Sequence, residues 1–200
     1  MDAQAFWDVI GAYNQSTWPF QIFFLTAIVI SILFAYRGKC VWLPKVTLGI
    51  MNLFIGGVFF LLYGTEPIQT YFAFPLYIAV GLLFLYEAIK HKQSTFRRFD
   101  VLQWVLLCMV IAYPFISMLL GHSFPKLVVY IMPCPVISLS IVVYASYSHK
   151  NKILLALMAI WGLTGVKSFI VNALEDVILL ICGLYCVYIL IRQFRRKEKA

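Results

Sequence analysis

Charge is what this chain has least of: 12% of its residues are charged and 63% are hydrophobic, whereas soluble domains run to about a quarter charged and about half apolar. That balance excludes an ordinary soluble domain and points to an integral membrane protein. A phosphate loop, a dinucleotide glycine motif and a His-Glu-x-x-His pair are all missing, so no soluble-enzyme fingerprint is present and no catalytic residue is assigned. Cysteines are few and scattered. Cys108, Cys134, Cys182 and Cys186 lie inside apolar runs, where cysteine packs as a small hydrophobe, and a disulfide framework is not expected. The start of the chain lacks the basic leader of a secretory signal, so a cleaved signal peptide is not expected either. The last apolar run contains no lysine, which argues against a retinal protein.

What the chain does contain is apolar length. Runs at about 19–36, 46–63, 71–90, 101–120, 127–147, 153–171 and 177–191 each approach the ~20 residues needed to cross a bilayer. The expectation is an all-α polytopic protein with seven transmembrane helices in a single domain, residues 1–200. Residues 1–12 place Phe6, Val9 and Ile10 at helical spacing and predict a separate amphipathic helix lying on the membrane surface.

The net charge of +8 follows the topology. Of the 16 Lys and Arg, all but Lys126 and Lys167 fall in or beside the first, third and fifth connections or in the tail 192–200. The positive-inside rule therefore predicts an outside N-terminus and a cytoplasmic C-terminus, as in a multi-pass protein of the bacterial inner membrane. The expected partners are the lipid bilayer and, at the basic tail, anionic headgroups; nucleic acid is not expected, and a homo-oligomer is left open. In the second run Gly49, Gly56, Gly57 and Gly64 form a small-residue face suited to close helix approach.

Pro133-Cys134-Pro135 is the organising element. Each proline removes an amide donor and clashes with the carbonyl four residues back, so the fifth helix is expected to be broken at Pro133/Pro135. With Pro135 opening a new helix, Cys134 becomes its cap. The 13 residues from Pro135 to Tyr147 span roughly 20 Å, short of a hydrocarbon core of about 30 Å. The remainder, from Leu127 to Cys134, must cross irregularly, which the membrane tolerates only where backbone is buried in protein or lines a wet cavity.

Polar residues collect on the predicted outer side. Asn14 and Trp18 precede the first run, Glu66 follows the second, His122 follows the fourth, and Asn172 to Asp176 follow the sixth. The candidate substrate-binding set is Cys134, His122, Lys167, Glu66, Asn14, Trp18, Glu175 and Asp176, with Pro133, Pro135, Gly56 and Gly57 structural. A cysteine at a helix N-terminus is a candidate nucleophile, redox thiol or soft metal ligand, and Cys134 with His122 is the pair to consider for a metal. Weighed against this, Cys134 can equally fill space beside the prolines, and His122 can be a surface residue. Lys167 suits snorkelling to the interface or pairing with Glu175 or Asp176. Glu87, near the inner end of the third run, is expected to face the interface, and Cys182 and Cys186 to pack in the core.

Tyr13-Asn14 with Trp18-Pro19, Gly121-His122-x-Phe124-Pro125 followed by Pro133-Cys134-Pro135, and Glu175-Asp176 after Trp161-Gly162 resemble an uncharacterised bacterial family of multi-pass membrane proteins, known only as a domain of unknown function. The chain departs from that pattern after Pro-Cys-Pro, where members carry threonine and Val136, Ile137 and Ser138 stand here. The resemblance implies a topology and no activity.

The functional expectation is a small secondary transporter or carrier with an outward-facing site near the broken fifth helix, a recurring carrier device. A membrane-embedded redox or metal-handling protein using Cys134 and His122 is the alternative, and a non-catalytic scaffold or sensor the third reading. A carrier requires a polar cavity passing Cys134 toward Ser138. A thiol site requires His122 beside Cys134, and a scaffold predicts no cavity.

Overall fold

The computed structural model describes residues 3–168 and 173–197. Among these residues the protein is all-helical, with seven helices and no strand. Helix α1 is Ala3–Tyr36; α2 is Leu43–Phe54 and continues as a π-helix over Ile55–Leu62. Helix α3 opens as a π-helix at Gln69–Ala73 and runs α-helical over Phe74–Lys90. Then come α4 (Val101–Leu119), α5 (Pro133–Tyr144), α6 (Lys152–Leu163, with a 3-10 turn Thr164–Lys167) and α7 (Val177–Lys197, after a 3-10 turn Leu174–Asp176). Five of the helical stretches are long and apolar enough to cross a membrane: Gln4–Tyr36, Leu43–Leu62, Gln69–Lys90, Val101–Leu119 and Leu174–Arg195. Asp2, Asn172, the end of the sixth apolar run at 169–171 and Lys199 lie outside the described residues.

The surface helix expected over residues 1–12 is not separate. Residues 3–12 are the first turns of α1, a single helix of 34 residues, about 50 Å long. Pro19 fails to interrupt it. A proline deletes one backbone hydrogen bond, whereas the turns before it are fastened to the bundle by the buried side chains of Ile10, Tyr13, Asn14 and Thr17. Tertiary packing thus outweighs the local defect.

Helix α5 is the hub. With α2, α4, α6 and α7 packed around it, Pro133 and every residue from Pro135 to Tyr144 are buried. An apolar helix covered on all sides needs no polar face, and this one has only Ser138 and Ser140, whose hydroxyls donate back to the carbonyls of Cys134 (2.8 Å) and Val136 (2.7 Å). The outer helices turn large apolar side chains outward, among them Phe23, Leu62, Tyr71, Ile89 and Leu119, the inverse of a soluble surface and suited to lipid contact.

Two glycine pairs set the closest helix approaches. A Cβ at Gly81 of α3 would lie 2.9 Å from the Gly49 carbonyl of α2, and one at Gly56 would lie 3.0 Å from Ile78. Gly57 meets nothing within 4 Å, so the small-residue face is made by Gly49 and Gly56, one side of the helix only. Gly162 and Gly183 bring α6 and α7 together more tightly still, a contact between residues that show no common pattern in the sequence.

The connections between α1 and α2, α3 and α4, and α5 and α6 gather at one end, hereafter the basic end. Phe96 and Tyr147 form an antiparallel bridge there, and Gln103 donates to the Val142 carbonyl (2.9 Å) and the Ser146 hydroxyl (2.8 Å). Asp100 and Gln103 form a reciprocal capping box that starts α4. Two expectations are corrected at this end. Lys45, placed in a connection by the charge pattern, lies in the first turn of α2 and is fully buried. Glu87 does not face the interface; it is 1% exposed, with its carboxylate 3.9 Å from Lys45 Nζ. A carboxylate and an ammonium facing each other across two packed helices are held inside, because neither tolerates burial alone.

Candidate functional site

The opposite end is built around the segment between α4 and α5. Helix α4 terminates at Gly121, whose φ of +93° is the left-handed conformation that lets its amide and the next fold back onto the last turn: Gly121 N bonds to the Met118 carbonyl and His122 N to that of Ser117. The chain then runs without regular structure to Met132, although Leu127, Val128, Ile131 and Met132 are buried. Its backbone groups are satisfied by side chains from three other helices. Tyr13 Oη donates to the Ile131 carbonyl at 2.7 Å, and Asn14 Nδ2 donates to those of Pro125 and Leu127 at 2.8 Å each. Ser117 Oγ accepts from Val128 N at 3.3 Å, and Tyr77 Oη donates to the Pro133 carbonyl at 2.6 Å. The irregular backbone is therefore buried in protein, one of the two arrangements expected for it.

The prolines act differently from the expectation. They start a helix instead of breaking one: Pro133 is the first residue of α5, Met132 is its extended N-cap (φ −132°, ψ 164°), and Cys134 lies inside the first turn. The first amides of a helix have no intrahelical acceptor, so Pro133 and Pro135 cost nothing there. They also strip the terminus of donors. Val136 N is already bonded to the Met132 carbonyl (3.0 Å), leaving the Cys134 amide as the free donor of the first turn. Such a terminus is a poor anion cradle.

A cavity of about 160 Å³ opens over this turn, with Cys134 and Asp176 in its lining and aromatic walls from Phe59, Phe60 and Trp161. The Cys134 thiol donates to Asp176 Oδ2 at 3.3 Å, and next to it Ser117 Oγ donates to Glu175 Oε1 at 3.3 Å. Among the described residues neither carboxyl has a basic partner; their donors are a thiol and a hydroxyl. Tyr113 neighbours Asp176, Cys134 and Ser138, yet its hydroxyl, the Trp161 indole N–H and Glu175 Oε2 are buried without a hydrogen-bond partner among the described residues. Each such orphan costs about 1–3 kcal/mol. Of these groups Trp161 lines the cavity with Cys134 and Asp176, whereas Glu175 and Tyr113 are outside its mainly apolar lining. A buried carboxyl with orphan polar atoms near it marks a place for a proton, an ion or a solute.

Of the eight candidate binding residues, the structure brings together Cys134, Asp176 and Glu175. Asn14 is a strut beneath the irregular segment, not a lining residue. His122 does not reach Cys134: its ring stacks on Trp7 at 3.6 Å and borders a separate cavity with Lys126. Trp18 is 53% exposed on the outer face of α1. Glu66 lies at the turn before α3, where its amide bonds to Gln69 Oε1 (3.0 Å). Lys167 is exposed, and the two acids expected to pair with it bond inward instead. Cys182 and Cys186 are core residues as expected, fully buried, with Cys186 Sγ donating to the Leu155 carbonyl. Tyr77, Tyr113, Ser117 and Trp161 were missed. Tyr113 and Ser117 lie four apart on α4, a spacing that places two polar groups on one face of an apolar helix and would have singled them out.

The chain belongs to a family of unknown function (DUF6064), which matches it over residues 3–200. No curated protein and no solved structure matches it.

Proposed function

We propose that this member of a family of unknown function is a small secondary carrier. In this reading it is a bacterial multi-pass protein of the cytoplasmic membrane, with seven spans, an outside N-terminus and a cytoplasmic C-terminus. The short helices α5 and α6, 12 residues each, complete their crossings with the irregular segment and the 3-10 turn that flank them. The separation of charge supports this orientation: Arg97, Arg98, Lys150 and Arg192 converge at the basic end, while Glu175 and Asp176 lie with Cys134 at the other.

The observation that carries the reading is the Cys134–Asp176 pair in the lining of a cavity where α5 starts part-way along the bundle. The cavity ends at the first turn of α5 and does not extend to Ser138, which is fully buried with its hydroxyl on the Cys134 carbonyl, so the deeper polar path expected of a carrier is not present among the described residues. A half-helix terminus facing a substrate is a device of carriers, and intramembrane carboxyls are costly enough to mark a pathway. The dimensions narrow the occupant. Drug-sized ligands occupy about 300–1,000 Å³, so a cavity near 160 Å³ suits a proton, an ion or a solute of a few atoms. The Asp176 carboxyl, aromatic walls and a donor-poor helix terminus favour positive charge.

The redox or metal alternative loses its second group, since His122 is on Trp7, and retains Cys134 alone. The scaffold reading predicts no cavity here. The deciding experiment labels Cys134 in a background with Cys40, Cys108, Cys182 and Cys186 replaced by serine. A membrane-impermeant thiol reagent is applied to right-side-out and to inverted vesicles. A carrier exposes its site to each side in turn, so labelling is expected from both, at rates that change with added cations. Labelling from one side, insensitive to ions, supports a local thiol site, and none before denaturation supports a scaffold.

A further inference from the structure

At the basic end, away from the Cys134 pocket, three potential metal ligands from two parts of the chain converge. Glu87 lies in the last turn of α3, His91 just beyond it, and His149 comes from the connection between α5 and α6. One ligand atom from each lies within 4.8 Å of the others. His149 Nδ1 is 3.3 Å from Glu87 Oε2, and His91 Nε2 is 3.9 Å from Glu87 Oε1. The two imidazoles stack at 3.7 Å.

We propose that Glu87, His91 and His149 form a binding site for a divalent transition-metal ion of the zinc type. Two imidazoles and one carboxylate suit zinc, cobalt or nickel. A single carboxylate falls well short of the oxygen-rich shell that calcium takes. Ligand bonds of about 2.0–2.2 Å put tetrahedral ligand atoms roughly 3.3 Å apart, so separations of up to 4.8 Å in the present cluster must contract by up to about 1.5 Å. The histidines have the freedom to do so, with side chains 29% and 47% exposed, around a carboxylate that is 1% exposed. Asn151 Nδ2 fixes that carboxylate by donating to Oε1 at 3.2 Å, the outer-shell restraint that metal ligands usually carry. A cavity of about 400 Å³ bordered by His91, Ser94 and His149, with Lys90 and Lys92 also in its lining, gives an ion its entry.

The neighbouring lysines do not occupy the site. Lys45 Nζ donates to Ser94 Oγ (3.0 Å), the Glu87 carbonyl (3.3 Å) and the His91 carbonyl (3.5 Å), which leaves a 3.9 Å contact with the carboxylate. Lys90 bonds to the Tyr86 hydroxyl, and Lys92 lies over the Trp42 ring. The Lys45 charge sets the affinity below that of an all-anionic site, and it favours an ion that binds through imidazole nitrogen.

The test uses the full chain in detergent, with any purification tag removed, titrated with Zn²⁺ by calorimetry and with Co²⁺ by visible absorption. Saturable binding of one ion is expected, with a Co²⁺ spectrum showing nitrogen ligation. His91→Ala and His149→Ala should each weaken binding by about tenfold or more, while His122→Ala leaves it unchanged. His91 is partly exposed and His149 exposed, so both variants are expected to keep the fold, which circular dichroism checks. Absence of Zn²⁺ and Co²⁺ binding to the unaltered chain would overturn the site. So would His91→Ala and His149→Ala proteins that bind as tightly as the unaltered chain, or an equal loss in His122→Ala.

Discussion

Asp176 Oδ2 accepts from Cys134 Sγ at 3.3 Å, tying the start of α7 to the first turn of α5. The two residues are 42 positions apart, one in the first turn of α5 and the other in the 3-10 turn before α7. Asp176→Asn keeps an acceptor oxygen on the thiol while removing the charge. The carrier reading expects the variant to unfold within about 1 kcal/mol of the unaltered protein, the scale of a single retained hydrogen bond. It also expects Cys134 labelling to lose its response to added cations. Melting curves in detergent and labelling rates with and without cations check the two halves separately, and a retained cation response would remove Asp176 from the site.

Asn14 spans two carbonyls of the irregular segment, those of Pro125 and Leu127, and is itself fully buried. Asn14→Ala leaves both acceptors unpaired in an apolar interior. At about 1–3 kcal/mol for each unsatisfied buried group, a loss of roughly 2–6 kcal/mol is expected, measured by denaturation in detergent. Asn14→Asp should be at least as harmful, because a carboxylate has no donor to offer two carbonyls. If Asn14 contacted a solute instead of the backbone, both variants would melt normally.

Which parts of this were legible beforehand follows from the range of each interaction. Apolar run lengths and the proline pair are local, and they located the helices and the irregular stretch before α5. The helix start moved from Pro135 to Pro133 because Tyr77 and Tyr13, far off in the chain, anchor the carbonyls on either side of Met132. Cys134, Glu175 and Asp176 stood out as chemistry-bearing residues next to breaks in apolar runs, and the structure brings them together. His122 stood out equally, and only the packing of Trp7 reveals that it belongs elsewhere. The Lys45–Glu87 pair was hidden for a related reason: each residue alone resembles an ordinary charge at the end of a span.

Helix approach offers a paired test. A Cβ at Gly162 would lie 2.5 Å from the Gly183 backbone, and one at Gly183 equally close to Gly162. Backbone cannot turn away as a side chain can, so Gly162→Ala and Gly183→Ala must push α6 and α7 apart, with an expected cost of about 1–3 kcal/mol each. Gly57→Ala meets nothing within 4 Å and should be neutral or stabilising by up to about 1 kcal/mol through the restriction of glycine's freedom. Thermal denaturation of the three variants side by side separates a packing effect from a general intolerance of glycine replacement.

A second cavity of the basic end, about 410 Å³, lies between α4, α7 and the connection after α5, with Arg97, Arg98, Lys150 and Arg192 in its lining. Its acidic member, Asp100, is engaged by the Gln103 amide in capping α4, so the charge presented outward is positive. A basic pocket at the edge of a span suits an anionic headgroup, with about 1 kcal/mol for each basic residue near the surface. Arg98→Gln combined with Arg192→Gln should therefore weaken retention of anionic lipid by roughly thirtyfold, about 2 kcal/mol. Native mass spectrometry of protein extracted from vesicles containing phosphatidylglycerol reads the bound lipid directly. The loss should be selective: zwitterionic lipid held by apolar contact along the outer helices is indifferent to these two charges. Unchanged phosphatidylglycerol binding in the double variant would mean that the arginines serve orientation alone.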